Sequence, residues 1–162
     1  MTPIILMECL EKFVKEKTAG IMLQARIRGQ VPGDEKQRAA EVYKMQLPTK
    51  EDSVQRIPYI LLQFLTGADG AQGEEPLEAS CQIRIVVGTY SEDAGLGSYD
   101  VLNVLSRLRS ELLMAGVVGD RFELMKPLEY MVYPDSTQPY SFGEMITNWR
   151  MPEIRREDGL WP

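Results

Sequence analysis

Carboxylates are the reactive groups that this sequence supplies in excess. It contains 24 Asp and Glu against 18 Lys and Arg, and it has no histidine. A chain without histidine cannot use Ser-His-Asp or Cys-His catalysis, histidine-ligated zinc or an imidazole pH switch. Two acidic clusters lie in segments that we predict to be loops. The first consists of Asp69, Glu74, Glu75 and Glu78, and the second of Glu92 and Asp93.

These clusters could in principle hold Mg²⁺ or Ca²⁺, because hard cations bind several oxygen ligands. Neither cluster has the spacing of an EF-hand loop, however, and neighbouring carboxylates on a loop are usually solvated. We therefore expect no metal site, no cofactor and no catalytic residue. A small ligand-binding or hydrolytic domain that uses two carboxylates stays open as an alternative, because any chain with this many acids offers pairs.

Two glycine-containing loops match phosphate-binding motifs only in part. The loop that begins at Gly67 lacks the Gly-Lys-Ser/Thr sequence of a P-loop and leads into a predicted strand rather than a helix. The loop around Gly95 precedes a predicted helix, but Asp100 stands where a dinucleotide fingerprint needs its third glycine. A carboxylate there would repel a pyrophosphate, so we interpret Asp100 or Ser98 as the N-cap of that helix.

The length of 162 residues predicts one domain that is large enough to bury a core. Two cysteines, Cys9 and Cys81, cannot build a disulfide framework, and their positions on apolar stripes predict buried thiols. The apolar run at 4–7 is too short for a signal peptide, and no run approaches the ~20 residues of a membrane span. We therefore expect a protein of a reducing cytosol that makes no membrane contact.

Charge is divided unevenly along the chain. Residues 1–50 carry nine Lys and Arg against six Asp and Glu, whereas residues 51–162 carry nine against 18. A protein that binds nucleic acid concentrates basic residues on one element, because phosphate contacts supply much of its affinity. This distribution predicts no specific binding of DNA or RNA.

Hydrophobic periodicity predicts two principal helices and about five strands. The helices cover about 3–17, opened by Thr2 and Pro3, and a segment from about 98 to a stop at Gly116. The predicted strands are 42–47, 56–66, 79–90, 122–133 and 142–151. Pro127 predicts an edge position or a bulge for the fourth of these strands. The order of elements predicts an α+β fold, a mainly antiparallel sheet with both helices packed on one face.

Within this single domain, residues 1–40 form the predicted N-terminal helix and a flexible loop, 41–154 the sheet and central helix, and 155–162 a polar tail. We expect fraying or a partner contact for the tail. Trp149 is predicted to anchor the core. Tyr133, Tyr140 and Phe142 crowd the predicted turn between the last two strands. An exposed contact with a subunit or tube and ordinary packing are equally consistent with these three aromatic residues.

Several short patches follow one another along the chain in a familiar order. They are Arg56–Ile60, an acidic glycine loop, Val86–Asp93, Asp100–Asn103, Leu128–Tyr130, Gln138–Tyr140 and Trp149–Pro152. Together they make residues 42 to 154 similar to the small tail-completion or tail terminator proteins of long-tailed bacteriophages and prophages. None of these patches is a catalytic signature.

The resemblance implies a non-enzymatic virion assembly protein. Tail terminators form a ring, commonly a hexamer, which stops polymerisation of the tail tube and presents a surface to the neck. The implied partners are other copies of the chain, the tail tube protein and a neck or head-completion protein, with DNA passing through unbound. The implied location is the host cytoplasm during assembly and then the virion tail. A neck or tail-tube protein of the same module is the closest alternative.

A ring needs heterologous contacts whose rotation closes. We predict that the loops at 67–78 and 91–97 project from one end of the sheet and give the ring an acidic lumen. Such a wall would repel DNA phosphates, because like charges repel. Ordinary solvated loops explain the same acidic residues equally well.

Overall fold

The structure is a computed structural model that describes residues 2–25, 37–48, 57–70, 79–93 and 96–154. Two helices and eight strands occur within these ranges. In chain order they are α1 (Pro3–Thr18), β1 (Leu23–Gln24), β2 (Gln37–Arg38), β3 (Glu41–Lys44), β4 (Tyr59–Asp69), β5 (Ala79–Tyr90), α2 (Leu96–Ala115), β6 (Val117–Val118), β7 (Phe122–Val132) and β8 (Tyr140–Met151).

Six of the strands form one sheet in the order β3-β4-β5-β8-β7-β6, while β1 and β2 form a separate antiparallel pair. Only β3 and β4 run parallel; the other four neighbouring pairs are antiparallel. The α+β class and the mainly antiparallel sheet are therefore confirmed. The strand number differs from the prediction, because two-residue strands such as β6 are too short to produce an alternating pattern.

Both helices cover the same face of the six-stranded sheet. Their buried apolar residues share one core with the inward-facing residues of β4, β5 and β8. Alternation along the strands creates this face, since successive side chains point to opposite sides of a sheet. The buried core residues of the six-stranded sheet are Val42, Ile60, Leu62, Cys81, Ile83, Ile85, Val87, Val118, Phe122, Met145 and Trp149. The predicted placement of both helices on one face is confirmed.

Trp149 is the largest side chain of this core and is fully buried. Its indole Nε1 donates a hydrogen bond of 2.8 Å to the Thr147 hydroxyl, which in turn donates one of 2.9 Å to the carbonyl of Ile83. A buried N–H needs such a partner, because leaving it unpaired costs about 1–3 kcal/mol. The predicted role of Trp149 as a core anchor is confirmed.

The ends of the helices agree only in part with the predictions. Pro3 opens α1 after Thr2, and Gly116 follows α2 with φ +69° while its N–H donates to the carbonyl of Leu112. Both assignments are confirmed, since a residue beyond a helix that turns left-handed is most often glycine. The N-cap prediction for α2 is wrong. The helix begins at Leu96, so Ser98 and Asp100 lie inside its first two turns.

Pro127 coincides with an interruption in the pairing of β7. The register of β7 with β8 shifts between Met125 and Glu129, and β6 pairs with β7 only at Phe122 and Glu123. Proline has no N–H to donate, so it is tolerated where the ladder is already broken or has no partner. The prediction of an edge or a bulge is confirmed.

The two cysteines are free thiols, and Cys81 is buried in the core as predicted, while Cys9 is only partly buried against it. Burial raises the pKa of Cys81 to about 11. Neither of the described helices is long and apolar enough to cross a membrane. The predicted loop at 28–37 lies almost entirely outside the described residues, as does the tail at 155–162.

Candidate interaction surface at the end of the sheet

The predicted acidic loops do not lie at the same end of the sheet. Asp69 pairs with Ala79 at the first residue of β5, whereas Glu92 and Asp93 follow its last residue, Tyr90. A strand rises about 3.3 Å per residue, so the twelve residues of β5 separate Asp69 from Glu92 and Asp93 by about 36 Å. The prediction that both loops project from one end is wrong. The error arose because an antiparallel strand carries its two flanking loops to opposite ends.

The described acidic residues sit at the surface. Asp69, Glu92 and Asp93 are exposed, and the Tyr90 hydroxyl donates a hydrogen bond of 2.8 Å to the Glu92 carboxylate. Glu74, Glu75 and Glu78 lie outside the described residues. Within residues 2–25, 37–48, 57–70, 79–93 and 96–154, no three Asp, Glu or Cys side chains are grouped closely enough to hold a metal ion.

The three predicted aromatic contact residues come together in one groove. Tyr133, Tyr140 and Phe142 line it, and its volume is about 620 Å³. The remaining lining residues are Met131, Pro134, Asp135, Ser136 and Thr137. Seven residues, 133–139, connect β7 to β8. The turn in this connection covers the start of β8, and the groove forms there. The structure thus places the three rings on one surface feature, as an interaction surface requires.

Phe142 belongs to a row of aromatic packing across three strands. It lies on the face of the six-stranded sheet opposite the helices, which we call the opposite face. There Gly88 of β5 is paired with Tyr59 of β4 on one side and with Phe142 of β8 on the other. The ring centroids of Tyr59 and Phe142 are 6.5 Å apart. Such offset aromatic pairs add about 0.5–1.5 kcal/mol beyond their buried area.

Gly88 allows this close approach. A Cβ atom at this position would lie 2.8 Å from the Tyr59 ring and 3.1 Å from the Phe142 ring. Burial, together with a smaller contribution from the nearby Tyr133, raises the pKa of Tyr59, so its hydroxyl stays neutral. The packing of the Tyr59 and Phe142 rings beside the groove therefore depends on Gly88. Glycine within a strand often marks a place where other groups come close to the backbone.

Beside the aromatic row, the opposite face carries an ionic cluster centred on Arg84 of β5. The Arg84 Nε donates to the Glu144 carboxylate, Nη2 donates to the Tyr133 hydroxyl at 2.5 Å, and Nη1 donates to Gln63 Oε1 at 3.4 Å. Burial opposes the charged form of Arg84, but the hydrogen bonds with Tyr133 and Glu144 and their charges raise its pKa overall. This cluster holds Tyr133 against the sheet and thereby fixes one wall of the groove.

Backbone and hydroxyl contacts tie further segments to the same end of the sheet. The N–H of Ser91 donates to the carbonyl of Pro139 at 2.9 Å, and the Thr89 hydroxyl donates to the carbonyl of Gly97 at 3.0 Å. The rings of Tyr90 and Tyr140 are 5.8 Å apart. The end of β5 and the start of α2, which are neighbours in the chain, therefore meet the distant β7–β8 connection beside the groove.

Sequence reasoning missed the residues that hold this surface in place. Tyr59, Gly88, Arg84 and Glu144 were not singled out as site residues. Two signals could have identified them: a glycine inside a strongly apolar strand, and an arginine in an alternating strand where its neighbours on the same face are uncharged. The partners of each residue depend on strand order and register, which the sequence pattern does not specify.

Comparisons with known proteins do not identify the chain. No protein-family model matches the sequence, and no curated protein matches it.

Proposed function

We propose that this chain is a tail-completion or tail terminator protein of a long-tailed bacteriophage or prophage. It acts without catalysis, as a ring that caps the tail tube and contributes to head–tail joining. Its partners are further copies of itself, the tail tube protein and a neck protein. It works in the host cytoplasm during assembly and then in the virion tail.

One observation carries the proposal. Two of the patches that resemble the terminator family, Val86–Asp93 and Gln138–Tyr140, lie far apart in sequence, yet they meet at the end of the sheet that bears the groove. Tyr90 and Ser91 contact Tyr140 and Pro139, and Thr89 contacts the first turn of α2. The contacts are made by aromatic rings, hydroxyls and backbone groups. A cluster of this kind supports a shaped packing surface, because aromatic residues are enriched where proteins meet.

Apolar side chains are also exposed on other parts of the molecule. Tyr99 and Met114 on α2 are 69% and 73% exposed, and Tyr130 on β7 is 42% exposed. Exposed apolar groups on separate surfaces suit a subunit with more than one neighbour. A ring subunit has at least two such neighbours, and a ring that also seats on a tube has a third contact.

The test is electron microscopy of particles from a phage that lacks this gene, with the gene supplied from a plasmid as the control. Overlong tails without heads are the expected result, and the plasmid should restore normal tails. Normal-length tails detached from heads would identify a neck protein instead. A complete lack of tubes would identify a tube protein. Normal virions would refute the proposal.

The prediction of an acidic lumen must be revised, because Asp69 lies at one end of the sheet and Glu92 and Asp93 lie at the other. We propose that one of these groups faces the DNA path. Replacing Glu74, Glu75 and Glu78 with lysine should then increase salt-sensitive retention of DNA by assembled rings if the Asp69 end lines the lumen. Replacing Glu92 and Asp93 with lysine should do so if the groove end lines it. Unchanged retention in both variants would refute the acidic lumen.

A further inference from the structure

We propose that the groove formed by Tyr133, Tyr140 and Phe142 binds residues 155–162 of a second copy of this chain. The inference rests on the proposed function for its place in a ring, and it names the occupant of the groove. It assigns one contact that joins subunits. Three features support it, namely where the 155–162 segment starts, how far it extends and what it contains.

The 155–162 segment starts at the end of the sheet that is remote from the groove. Strand β8 runs from Tyr140 at the groove to Met151, which is paired with Ala79. Ile154 borders a small pocket together with Asp69 and Ala79, so it remains at that remote end. At about 3.3 Å per residue, Met151 lies about 30 Å from Phe142 and about 36 Å from Tyr140.

The segment can reach the groove of its own chain only if its backbone is fully extended. Trp161 is seven residues beyond Ile154, and a fully extended chain of that length spans at most about 25 Å. Phe142 lies about 30 Å from Met151 along β8, which exceeds this backbone span, so the Trp161 side chain would have to bridge the rest. A neighbouring copy placed with its groove near the Asp69 end has no such restriction. Length therefore favours binding between subunits.

The chemistry of the segment matches the groove. Leu160, Trp161 and Pro162 supply apolar groups for a groove lined by Tyr133, Tyr140 and Phe142. Large aromatic anchors that fill a pocket contribute most of the energy of many interfaces, and proline-containing segments dock well between aromatic rings. Arg155 and Arg156 precede these residues, and Glu157 and Asp158 stand between, so the four side-chain charges of the segment sum to zero.

The rim of the groove is acidic. Asp135 is an exposed lining residue, and no ion pair joins it to any part of the chain that the structure describes. Glu92 and Asp93 are exposed on the adjoining loop, and a smaller pocket lined by Asp93, Ser136 and Tyr140 continues the groove. This acidic rim can pair with Arg155 and Arg156 of the segment, whereas Glu157 and Asp158 must then face solvent.

The resulting contact is heterologous, because it joins one end of a subunit to the opposite end of its neighbour. Heterologous contacts build rings when the rotation closes, and filaments when it does not. The proposed contact thus supplies the type of interface that a ring requires.

Disulfide trapping between two full-length variants tests the inference. Both variants carry Cys9→Ala to remove the partly buried native thiol; one adds Thr137→Cys at the groove and the other adds Pro162→Cys beside Trp161. Mixed and mildly oxidised, they should form a linked heterodimer. The matched control replaces Thr137→Cys with Ser106→Cys, which lies exposed on α2. The groove pair should give about tenfold more heterodimer than the control pair, because docking raises the local thiol concentration.

A Trp161 variant and a chain with both new cysteines provide two further tests of the inference. Adding Trp161→Ala to the Pro162→Cys chain should reduce the yield for the groove pair to that of the control pair. Equal yields for the two pairs, or insensitivity to Trp161→Ala, would overturn the inference. A chain that carries both new cysteines and closes on itself as a monomer would also overturn it, since the segment would then reach its own groove.

This experiment can fail independently of the proposed function. If trapping fails while phage that lack the gene make overlong tails, the chain is a terminator whose subunits meet elsewhere. If trapping succeeds while those phage make normal tails, the contact between copies stands and the terminator function is wrong.

Discussion

The two faces of the six-stranded sheet are made from the same strands but are stabilised in different ways. The face under α1 and α2 is a continuous apolar core in which Ile60, Ile83 and Met145 are fully buried. The opposite face carries a smaller buried cluster of Ile57, Tyr59, Leu61, Val86 and Tyr90, continued by the aromatic row through Gly88 and the ionic cluster around Arg84. The helix-covered face contains the larger core, whereas the opposite face sets the shape of one end of the molecule. The groove depends on the second face.

The largest expected effect comes from Trp149→Ala on the helix-covered face. Trp149 is fully buried, and its removal leaves a cavity and takes away the indole N–H that donates to the Thr147 hydroxyl. We expect a loss of about 3–5 kcal/mol in the free energy of unfolding, measured by urea denaturation. The matched change on the opposite face is Phe142→Ala, which should cost about 1–2 kcal/mol because Phe142 is only partly buried. A larger loss for Phe142→Ala would reverse the assignment of the core to the helix-covered face.

Gly88→Ala should produce the next largest effect. The new methyl group would meet the rings of Tyr59 and Phe142, which must then shift away from the sheet. We expect a loss of about 1–3 kcal/mol, together with a change in the near-ultraviolet circular dichroism of the tyrosines. Gly20→Ala is the control, because a Cβ atom at Gly20 would have no neighbour within 4 Å. Equal effects of the two substitutions would show that the aromatic row is loosely packed.

The ionic cluster should contribute a smaller amount. A double-mutant cycle with Arg84→Met and Glu144→Gln is expected to give a coupling energy of about 1 kcal/mol, because the pair is partly buried and shares Tyr133. The pair of Arg150 and Glu123 lies on the same face, and its side chains are 46% and 54% exposed. Its cycle should give about 0–0.5 kcal/mol. A stronger coupling for the exposed pair of Arg150 and Glu123 would contradict the expectation that the partly buried pair is coupled more strongly.

The reactivity of the Cys81 thiol should show whether water enters the core on the helix-covered face. Its pKa of about 11 exceeds the ordinary 9.0, so alkylation at pH 8 should be at least roughly tenfold slower in the folded protein than in urea. Mass spectrometry of the modified peptide measures this rate. The raised pKa adds stability below about pH 9, and this contribution is lost as the pH rises toward 11. Cys81→Ala should lack this loss, and rapid alkylation of folded wild type would mean that the core admits water.

Local patterns predicted the elements of the fold well, because they depend on neighbours along the chain. Strand β5 was predicted at the residues it occupies, and Gly116 marked the end of α2. Spacing also brought attention to Tyr133, Tyr140 and Phe142, which do share a groove. The predicted N-cap of α2 is wrong, since Ser98 and Asp100 are good capping residues that also fit within the first two turns of a helix. The two-residue strands gave no signal at all.

The sequence alone determined which residues lie on which face of each strand, because alternation is a property of the backbone. Only the tertiary structure decided which strands are neighbours and which loops share an end. Those two facts placed Asp69 about 36 Å from Glu92 and joined Arg84 to Tyr133 across 49 positions of the chain. Strand pairing is settled by the combined burial of all strands and both helices, so no local stretch of residues contains that information.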